Sequence, residues 1–299
     1  MKTAVKKWLR CIAFVGAFAG AFVMCAFAKP TAPLAKEMLT WAVPPFAPAF
    51  ITDQSNLTGY AADTQNWFVQ RLTDYDHTVL HIPLSRLLAE MRNTADGIRC
   101  STTLIPTPDR REFIVFAKTV LLHLPISIVI RQEDFDRYKP FMNDQGHILL
   151  WQLLSNVHFQ GAVRLERAYG GLVDSHLARY RTSDQVMEVV DDTKLLKMLA
   201  LKRIDWSLYF PSEAEYYRRQ SAPDQAIMAL PIAGNTNLLE ATIGCANTPA
   251  GRTVIKRINA IIDANPTMPW TDFYAAWLNT KDREWFEQAR QQFISASVF

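Results

Sequence analysis

The chain has 299 residues, of which 49% are hydrophobic and 20% are charged, and its formal net charge is +3. No low-complexity tract interrupts it, so the composition excludes a repetitive chain and indicates a globular one. A chain of this length can bury one large core or two medium ones.

The first residues predict a secretory leader. Four cations precede an apolar run over residues 11–27 that has no acidic residue, and Ala26 and Ala28 are the small residues that a signal peptidase accepts. We therefore predict a cleaved signal peptide at residues 1–28 and a mature chain that begins at Lys29. A retained membrane anchor is the weaker alternative, because a spanning helix needs about 20 apolar residues.

Cleavage changes the charge balance. It removes the cations of the leader, which are Lys2, Lys6, Lys7 and Arg10. The mature chain then holds 28 cations against 29 anions, a net charge of about −1. The basic charge of the full chain is therefore no sign of nucleic-acid binding, and we expect a soluble, exported globular protein.

Two cysteines, Cys100 and Cys245, remain in the mature chain. Two leftover thiols in an oxidising compartment usually pair, so we predict a disulfide between them. Two separate buried thiols are the alternative. A bond would make residues 100 and 245 neighbours in space.

The first half of the mature chain predicts a βαβαβ unit. The predicted strands are MLTWAV, HTVLHI and GIRCSTTL, and the predicted helices between them are DTQNWFVQRL and SRLLAEMRN, the second capped by Ser85. This alternation is typical of a parallel sheet covered by helices. Two more strands, REFIVFA and LLHLPISIVIR, follow without a helix between them.

A second alternating block comes next. Its predicted helices are HILLWQLLSN, YGGLVDSHLARY, DTKLLKMLALK and SEAEYYRRQ, and its predicted strands are FQGAVR, QVMEVV and IDWSLYF. Two consecutive strands, AIMALPIAG and LEATIGCA, then lead to a helical end, TPAGRTVIKRINAIIDAN, TDFYAAWL and DREWFEQARQQFI.

Together with the predicted disulfide, this order indicates an α/β protein of two lobes. A bond from residue 100 to residue 245 requires the chain to return to its first lobe. We therefore predict one discontinuous lobe, residues 29–123 with 235–299, and a second lobe, residues 124–234. A connection that is crossed twice suits closure of a cleft around a ligand.

Catalytic and metal-binding patterns are absent from the sequence. It has no G-x-S-x-G elbow and no phosphate-binding glycine loop. His77 and His81 lie on a predicted strand, where four residues span about 13 Å, too far to share one ion. We therefore predict no catalytic residue, no cofactor and no metal site.

The ends of the predicted strands are the places for a ligand. In open α/β sheets ligands bind beyond the carboxyl ends of the strands, which here are the loops after Val43, Thr103, Arg164 and Ser207. Trp41 and Trp206 lie inside predicted strands, so we expect them in the cores.

Arg110 is the strongest candidate in these loops. It follows Thr103 after a turn fixed by Pro106 and Pro108. An arginine there can hold a carboxylate through two parallel hydrogen bonds. The alternative is an ion pair with a neighbouring acidic residue on a solvated turn.

The segment ADGIRCSTTLIPTPDRREFIVFAKTVLLH resembles bacterial extracellular solute-binding proteins of family 3, the type II periplasmic binding proteins, in which a strand leads to a T-P-E-R turn. The opening segment is also similar, with Pro44, Pro45 and Phe46 after the first strand and a G-aromatic-x-x-D pattern at residues 59–63. The resemblance implies the two-lobed type II periplasmic binding protein fold with two hinge-crossing segments. It also implies a small-molecule ligand, a monomer, and an ABC permease or membrane sensor as partner.

Two positions depart from the amino-acid binders of that family. Ile105 stands where they have a hydroxyl, and Phe210 stands where they have the aspartate that holds an α-ammonium group. Burying an ammonium without a charge partner is costly, so we predict an anionic or aromatic organic solute instead. The predicted ligand-binding residues are Phe46, Thr103, Arg110, Arg167, Tyr169 and Tyr209, with the two arginines facing each other across the cleft.

Two other classes of function stay open. An enzyme of the same fold, such as a cyclohexadienyl dehydratase, would use Glu166 or Glu213 as a cleft acid. A periplasmic interaction protein that does not serve transport would keep the cleft without a ligand.

Overall fold

The computed structural model describes residues 36–53, 56–93, 97–165, 167–180, 183, 185–190 and 192–297. The predicted signal peptide, residues 1–28, lies outside this part of the chain, and so does Glu166. Within the described ranges, no helix has the length and apolar character needed to cross a membrane.

Strands and helices alternate through most of these residues. The strands are β1 (Glu37–Val43), β2 (Ile51–Asp53), β3 (Asn56–Thr58), β4 (Tyr75–His81), β5 (Ile98–Leu104), β6 (Ile114–Phe116), β7 (Leu121–His123), β8 (Ser127–Arg131), β9 (Gly161–Arg164), β10 (Val186–Val189), β11 (Trp206–Tyr209), β12 (Ile227–Leu230) and β13 (Leu239–Ala246). The helices are α1 (Tyr60–Val69), α2 (Leu84–Asn93), α3 (Pro108–Arg111), α4 (Phe135–Tyr138), α5 (Leu150–Leu154), α6 (Gly171–Leu177), α7 (Asp192–Ala200), α8 (Pro211–Ser221), α9 (Pro249–Asp263), α10 (Asp272–Ala275) and α11 (Thr280–Ser297). Short 3₁₀ turns occupy Gln132–Asp134, Lys139–Phe141 and Pro269–Thr271.

The first sheet has the strand order β4-β1-β5-β13-β6, with β7 also paired to β13. Strand β1 runs parallel to β4 and β5, which confirms the predicted βαβαβ unit. Strand β13 is antiparallel to β5, β6 and β7. The C-terminal part of the chain therefore completes a sheet that its N-terminal part begins.

The pairing of β13 with β5 sets Cys245 opposite Cys100, and the two cysteines form a disulfide with their Cα atoms 4.0 Å apart. The predicted disulfide is thus confirmed. It joins two central strands of the first sheet, and both cysteines are fully buried.

The second sheet has the strand order β10-β9-β11-β8-β12. Strand β9 runs parallel to β10 and β11, and β8 is antiparallel to β11 and β12. The chain enters this sheet through residues 124–126 and leaves it through residues 231–238. The protein therefore has the predicted two-lobed α/β fold with two crossing segments. We propose that the lobes divide where the sequence predicts, at residues 123/124 and 234/235.

Successive side chains along a strand point to opposite faces of the sheet. In both large sheets, neighbouring strand residues belong to different buried clusters, so each of these sheets packs on both faces. In β1, Trp41 belongs to one buried cluster and Ala42 to another on the opposite face. In the second sheet, Ile128 and Val129 divide in the same way. Trp41 and Trp206 are fully buried core residues, as expected.

The bounds of some helices and strands differ from the sequence predictions. Helix α2 begins at Leu84, so Ser85 lies inside its first turn and does not cap it; the carbonyl of Pro83 accepts a hydrogen bond from the Leu87 amide at 2.9 Å. The predicted strand LLHLPISIVIR is split into β7 and β8 around Pro125, which lacks an amide hydrogen for a sheet ladder. The hairpin β2-β3 and helix α4 were not predicted.

Candidate functional site

A cavity of about 840 Å³ lies at the carboxyl ends of strands from both sheets. The residues that line it from the first lobe include Phe46, Tyr60, Thr103, Ile105, Arg110 and His123. Those from the second lobe include Arg164, Arg167, Phe210, Ser212 and Glu213. The position follows the strand-end rule for open α/β sheets.

The turn after β5 carries Arg110 to the cavity. Thr107 caps the short helix α3, its hydroxyl accepting a hydrogen bond from the Arg110 amide at 3.4 Å, and Pro108 takes the first helical position. The Arg110 Nη1 atom donates to the carbonyl of Ile105 at 3.0 Å. This bond bends the guanidinium back along the turn toward the strand end.

The charge of Arg110 is not matched by a carboxylate in the described part of the chain. The alternative prediction, an ion pair with a neighbouring acid, is therefore not observed there. Partial burial lowers the pKa of Arg110, but a guanidinium stays protonated at neutral pH. A half-buried positive charge in a cavity wall is suited to an anionic ligand group.

An ion pair occupies the wall of the second lobe. The Arg167 Nη2 atom lies 2.7 Å from Glu213 Oε2, and the two side chains are 18% and 6% exposed. Glu213 stands in the first turn of α8, which begins at Pro211 after an extended Phe210, and a helix N-terminus favours negative charge. The Arg167 guanidinium also lies over the ring of Phe210, 5.7 Å from its centre.

Tyr60 reaches the cavity from the start of α1. Gly59 precedes it with a φ of +112°, and a Cβ at that position would lie 2.4 Å from the carbonyl oxygen of Pro48. The backbone there therefore requires glycine. Burial raises the pKa of Tyr60 well above its ordinary value, so its hydroxyl is a neutral hydrogen-bonding group.

His123, at the end of β7, packs edge-on against two aromatic rings. Its ring centre lies 5.3 Å from that of Tyr60 and 5.1 Å from that of Tyr274. The hydroxyl of Tyr274 in turn accepts a hydrogen bond from the Leu124 amide at 3.0 Å. Burial lowers the pKa of His123 to about 4, so the imidazole is neutral at neutral pH.

The structure places the predicted ligand-binding residues in two groups. Phe46, Thr103, Arg110 and Arg167 line the cavity. Tyr169 and Tyr209 are 4% and 0% exposed and are not among its lining residues. The Tyr169 hydroxyl accepts a hydrogen bond from the Arg164 amide at 2.7 Å. Tyr209 alternates with Leu208 along β11 and faces the buried cluster under α7. We therefore leave these two tyrosines out of the site.

Sequence reasoning missed His123, Arg164 and Ser212 as cavity residues, and it named Glu213 only as a possible acid. Ser212 could have been predicted, because it comes two residues after the end of the predicted strand IDWSLYF, in a loop where a ligand is expected. His123 gave none, because it stands inside a run of apolar residues that indicates a core strand.

The histidines of β4 have structural partners. The Trp41 Nε1 atom donates to His77 Nδ1 at 3.1 Å, and His81 Nδ1 lies 3.3 Å from the Thr52 hydroxyl. Searched over the described residues, the chain shows no group of three histidine, cysteine or acidic side chains that could hold a metal ion.

Comparison with known proteins gives a likeness of fold. No protein-family model matches the chain, and no curated protein matches it. Among solved structures, it is similar to the probable amino-acid ABC transporter extracellular-binding protein ytmK from Bacillus subtilis, with a TM-score of 0.59, 16% identity, and coverage of 82% of this chain and 99% of that one.

Two further solved structures are also similar in fold to this chain. The L-cystine solute receptor of Neisseria gonorrhoeae, in its unliganded open conformation, has a TM-score of 0.56 and 13% identity, and the match covers 77% of this chain and 87% of that one. Substrate binding domain 2 of GlnP from Lactococcus lactis, in its open conformation, has a TM-score of 0.56 and 16% identity, with 80% and 96% covered. The chain therefore has the two-lobed fold of type II periplasmic binding proteins that its sequence resembles.

Proposed function

We propose that the chain is a periplasmic solute-binding protein that captures a small anionic or aromatic organic solute between its lobes and presents it to an ABC-type importer or a membrane sensor. The observation that carries the proposal is Arg110, a cavity residue whose charge has no carboxylate partner in the described part of the chain. The fold supports the class of protein, because the similar solved structures are, by their names, substrate-binding proteins and domains.

The charges of the cavity favour an anion. Its described lining residues include three arginines and one glutamate, and that glutamate is held by Arg167. A ligand ammonium would have to compete with Arg167 for Glu213, since Phe210 offers it nothing but a ring face. A carboxylate on Arg110 meets no such competitor.

The size and the apolar lining fit an organic body of modest size. A volume of about 840 Å³ is within the usual range for small-molecule sites, roughly 300–1,000 Å³. Phe46, Tyr60 and Phe210 supply aromatic surface next to the charged groups. The proposal includes no catalytic step, because Glu213 serves as the counter-ion of Arg167 rather than as a free proton donor.

Replacing Arg110 tests the proposal. We expect the wild-type protein to be stabilised by at least one small carboxylate in a melting-temperature screen, since a ligand at 100 times its Kd adds about 2.7 kcal/mol to the unfolding free energy. Arg110→Ala should weaken the binding of that compound about 10- to 100-fold, because a hydrogen bond to a charged group contributes roughly 1.5–3 kcal/mol. Titration calorimetry measures the loss.

Arg111→Ala is the matched control, because Arg111 is the next residue of α3 but does not line the cavity. It should bind the carboxylate as the wild type does. An equal loss in both variants would contradict the role of Arg110. A screen in which no compound near millimolar concentration raises the melting temperature would contradict the proposed function itself.

A further inference from the structure

His123 has an unusual environment for a histidine. Its side chain lines the cavity, the residue is only 8% exposed, and neither Nδ1 nor Nε2 has a hydrogen-bond partner among the described residues. The backbone of Leu239, opposite His123 on β13, lies close enough to offset the lowering of the pKa of His123 in part, yet makes no hydrogen bond of good geometry with the ring.

A neutral imidazole carries one donor and one acceptor. Burying both without partners is costly and rare, so such a pair requires an explanation. The rings of Tyr60 and Tyr274 pack edge-on against the imidazole and give it contact area. The nearby backbone of Leu239 does not complete a hydrogen bond to either ring nitrogen. His123 is one of the residues that line the cavity, so a ligand there could supply the missing partners.

The place of His123 relative to Arg110 follows from the register of β13. His123 pairs with Leu239, whereas Leu104, at the end of the strand that leads to Arg110, pairs with Thr242. Three residues of a strand span about 10 Å. The guanidinium of Arg110 reaches back to the carbonyl of Ile105, the residue after Leu104. We therefore expect the two groups, which both line the cavity, to contact different parts of one small molecule.

We propose that His123 binds the ligand directly, through hydrogen bonds between its ring nitrogens and an uncharged donor–acceptor group such as a hydroxyl, at the end of the ligand remote from the carboxylate held by Arg110. The inference rests on the proposed function. It narrows the ligand to a small monoanion with a hydroxyl or an amide far from its carboxylate. A ligand ammonium fits His123 poorly, because it would bring a charge that the neutral ring cannot match.

The first test uses the protein without ligand. His123→Leu replaces two unpaired polar atoms by apolar surface of similar size, so its melting temperature should stay level or rise by about 2–4 °C. His77→Leu is the matched control: it removes the acceptor of the buried Trp41 indole, and its melting temperature should fall. A similar fall in both variants would show that His123 is structural and would overturn the inference.

The second test uses three probes that share one skeleton: 3-(4-hydroxyphenyl)propanoate, 3-phenylpropanoate and L-tyrosine. We expect 3-(4-hydroxyphenyl)propanoate to bind the wild type most tightly of the three, about tenfold better than 3-phenylpropanoate, which lacks the hydroxyl. That preference should disappear in His123→Leu, persist in His77→Leu, and return in part in His123→Gln, which again offers a donor and an acceptor.

The outcomes separate this inference from the proposed function. If His123→Leu keeps the preference for the hydroxylated probe, or if the wild type shows none, the role of His123 is wrong although the protein still binds solutes. If none of the probes binds while other carboxylates raise the melting temperature, the narrowing of the ligand to a monoanion with a distant hydroxyl or amide is wrong, although the protein still binds anions. If no compound of the screen binds at all, the proposed function fails as well.

Discussion

Removing the Cys100–Cys245 disulfide is expected to lower the free energy of unfolding by about 3–5 kcal/mol. The bond closes a loop of 145 residues, which contains the whole second sheet. In the chain-entropy model a loop of this length restricts the unfolded chain by about 5 kcal/mol, and measured losses for native disulfides are typically 2–5 kcal/mol. Without the bond, the unfolded chain has more conformational freedom, and more entropy is lost when β13 pairs with β5 on folding.

The measurement is urea unfolding of the oxidised wild type and of a Cys100→Ala/Cys245→Ala double variant, followed by circular dichroism. The midpoint should fall with little change in native secondary structure, because β13 keeps its backbone pairing with β5, β6 and β7. Adding a reductant to the double variant is the control and should change nothing. Equal midpoints for the wild type and the double variant would contradict the expected role of the bond.

The larger elements of the fold were predictable because strong periodicities define them. Helices α1 and α9 and strands β1 and β5 appear where apolar residues recur with helical or strand spacing. The disulfide followed from the compartment and from the small number of thiols. Short elements such as α3 and the hairpin β2-β3 were missed, since elements of three or four residues are set by caps and tertiary contacts rather than by a periodic pattern.

The residues that line the cavity were predictable only in part, because the strand-end rule locates a residue along a strand but does not choose its face. Thr103 and Arg110 follow β5 into the cavity, whereas Tyr209, at the end of β11, points to the opposite side of its sheet. The ion pair between Arg167 and Glu213 joins residues 46 positions apart, and no local pattern indicates it. His123 became visible only through its unpaired nitrogens, which are a property of the folded protein.

Asp282 is buried in the first turn of α11, where it exchanges hydrogen bonds with Asn279, the residue before the helix. Its amide donates to Asn279 Oδ1 at 3.0 Å, and its carboxylate accepts from Asn279 Nδ2 at 2.7 Å. Burial raises the pKa of Asp282 to about 7, against the opposing effect of the Asn279 hydrogen bond; the nearby Glu215 raises it further, and Lys281 lowers it. Glu215 is itself 5% exposed and lies in α8.

The sign of the effect on stability follows from proton linkage. The folded protein holds the proton of Asp282 up to about pH 7, whereas the unfolded chain releases it near the ordinary pKa of 3.8. The folded state therefore binds more protons between these values, and the free energy of unfolding falls as the pH rises through this window. Over the whole window, Asp282 is expected to cost about 4 kcal/mol of stability, nearly all of it by about pH 8.

Asp282→Asn should therefore stabilise the protein at high pH and do little at low pH. The asparagine keeps an acceptor for Asn279 Nδ2 but carries no ionisable proton. We expect the unfolding free energy to rise by about 3–4 kcal/mol at pH near 8 and to change by less than about 1 kcal/mol at pH near 4. Urea unfolding at both pH values measures the difference.

Asp263→Asn, at an exposed position of α9 that pairs with Lys118, is the control and should change stability little at either pH. A gain for Asp282→Asn that is equal at both pH values would show that its carboxyl does not titrate between them in the folded state.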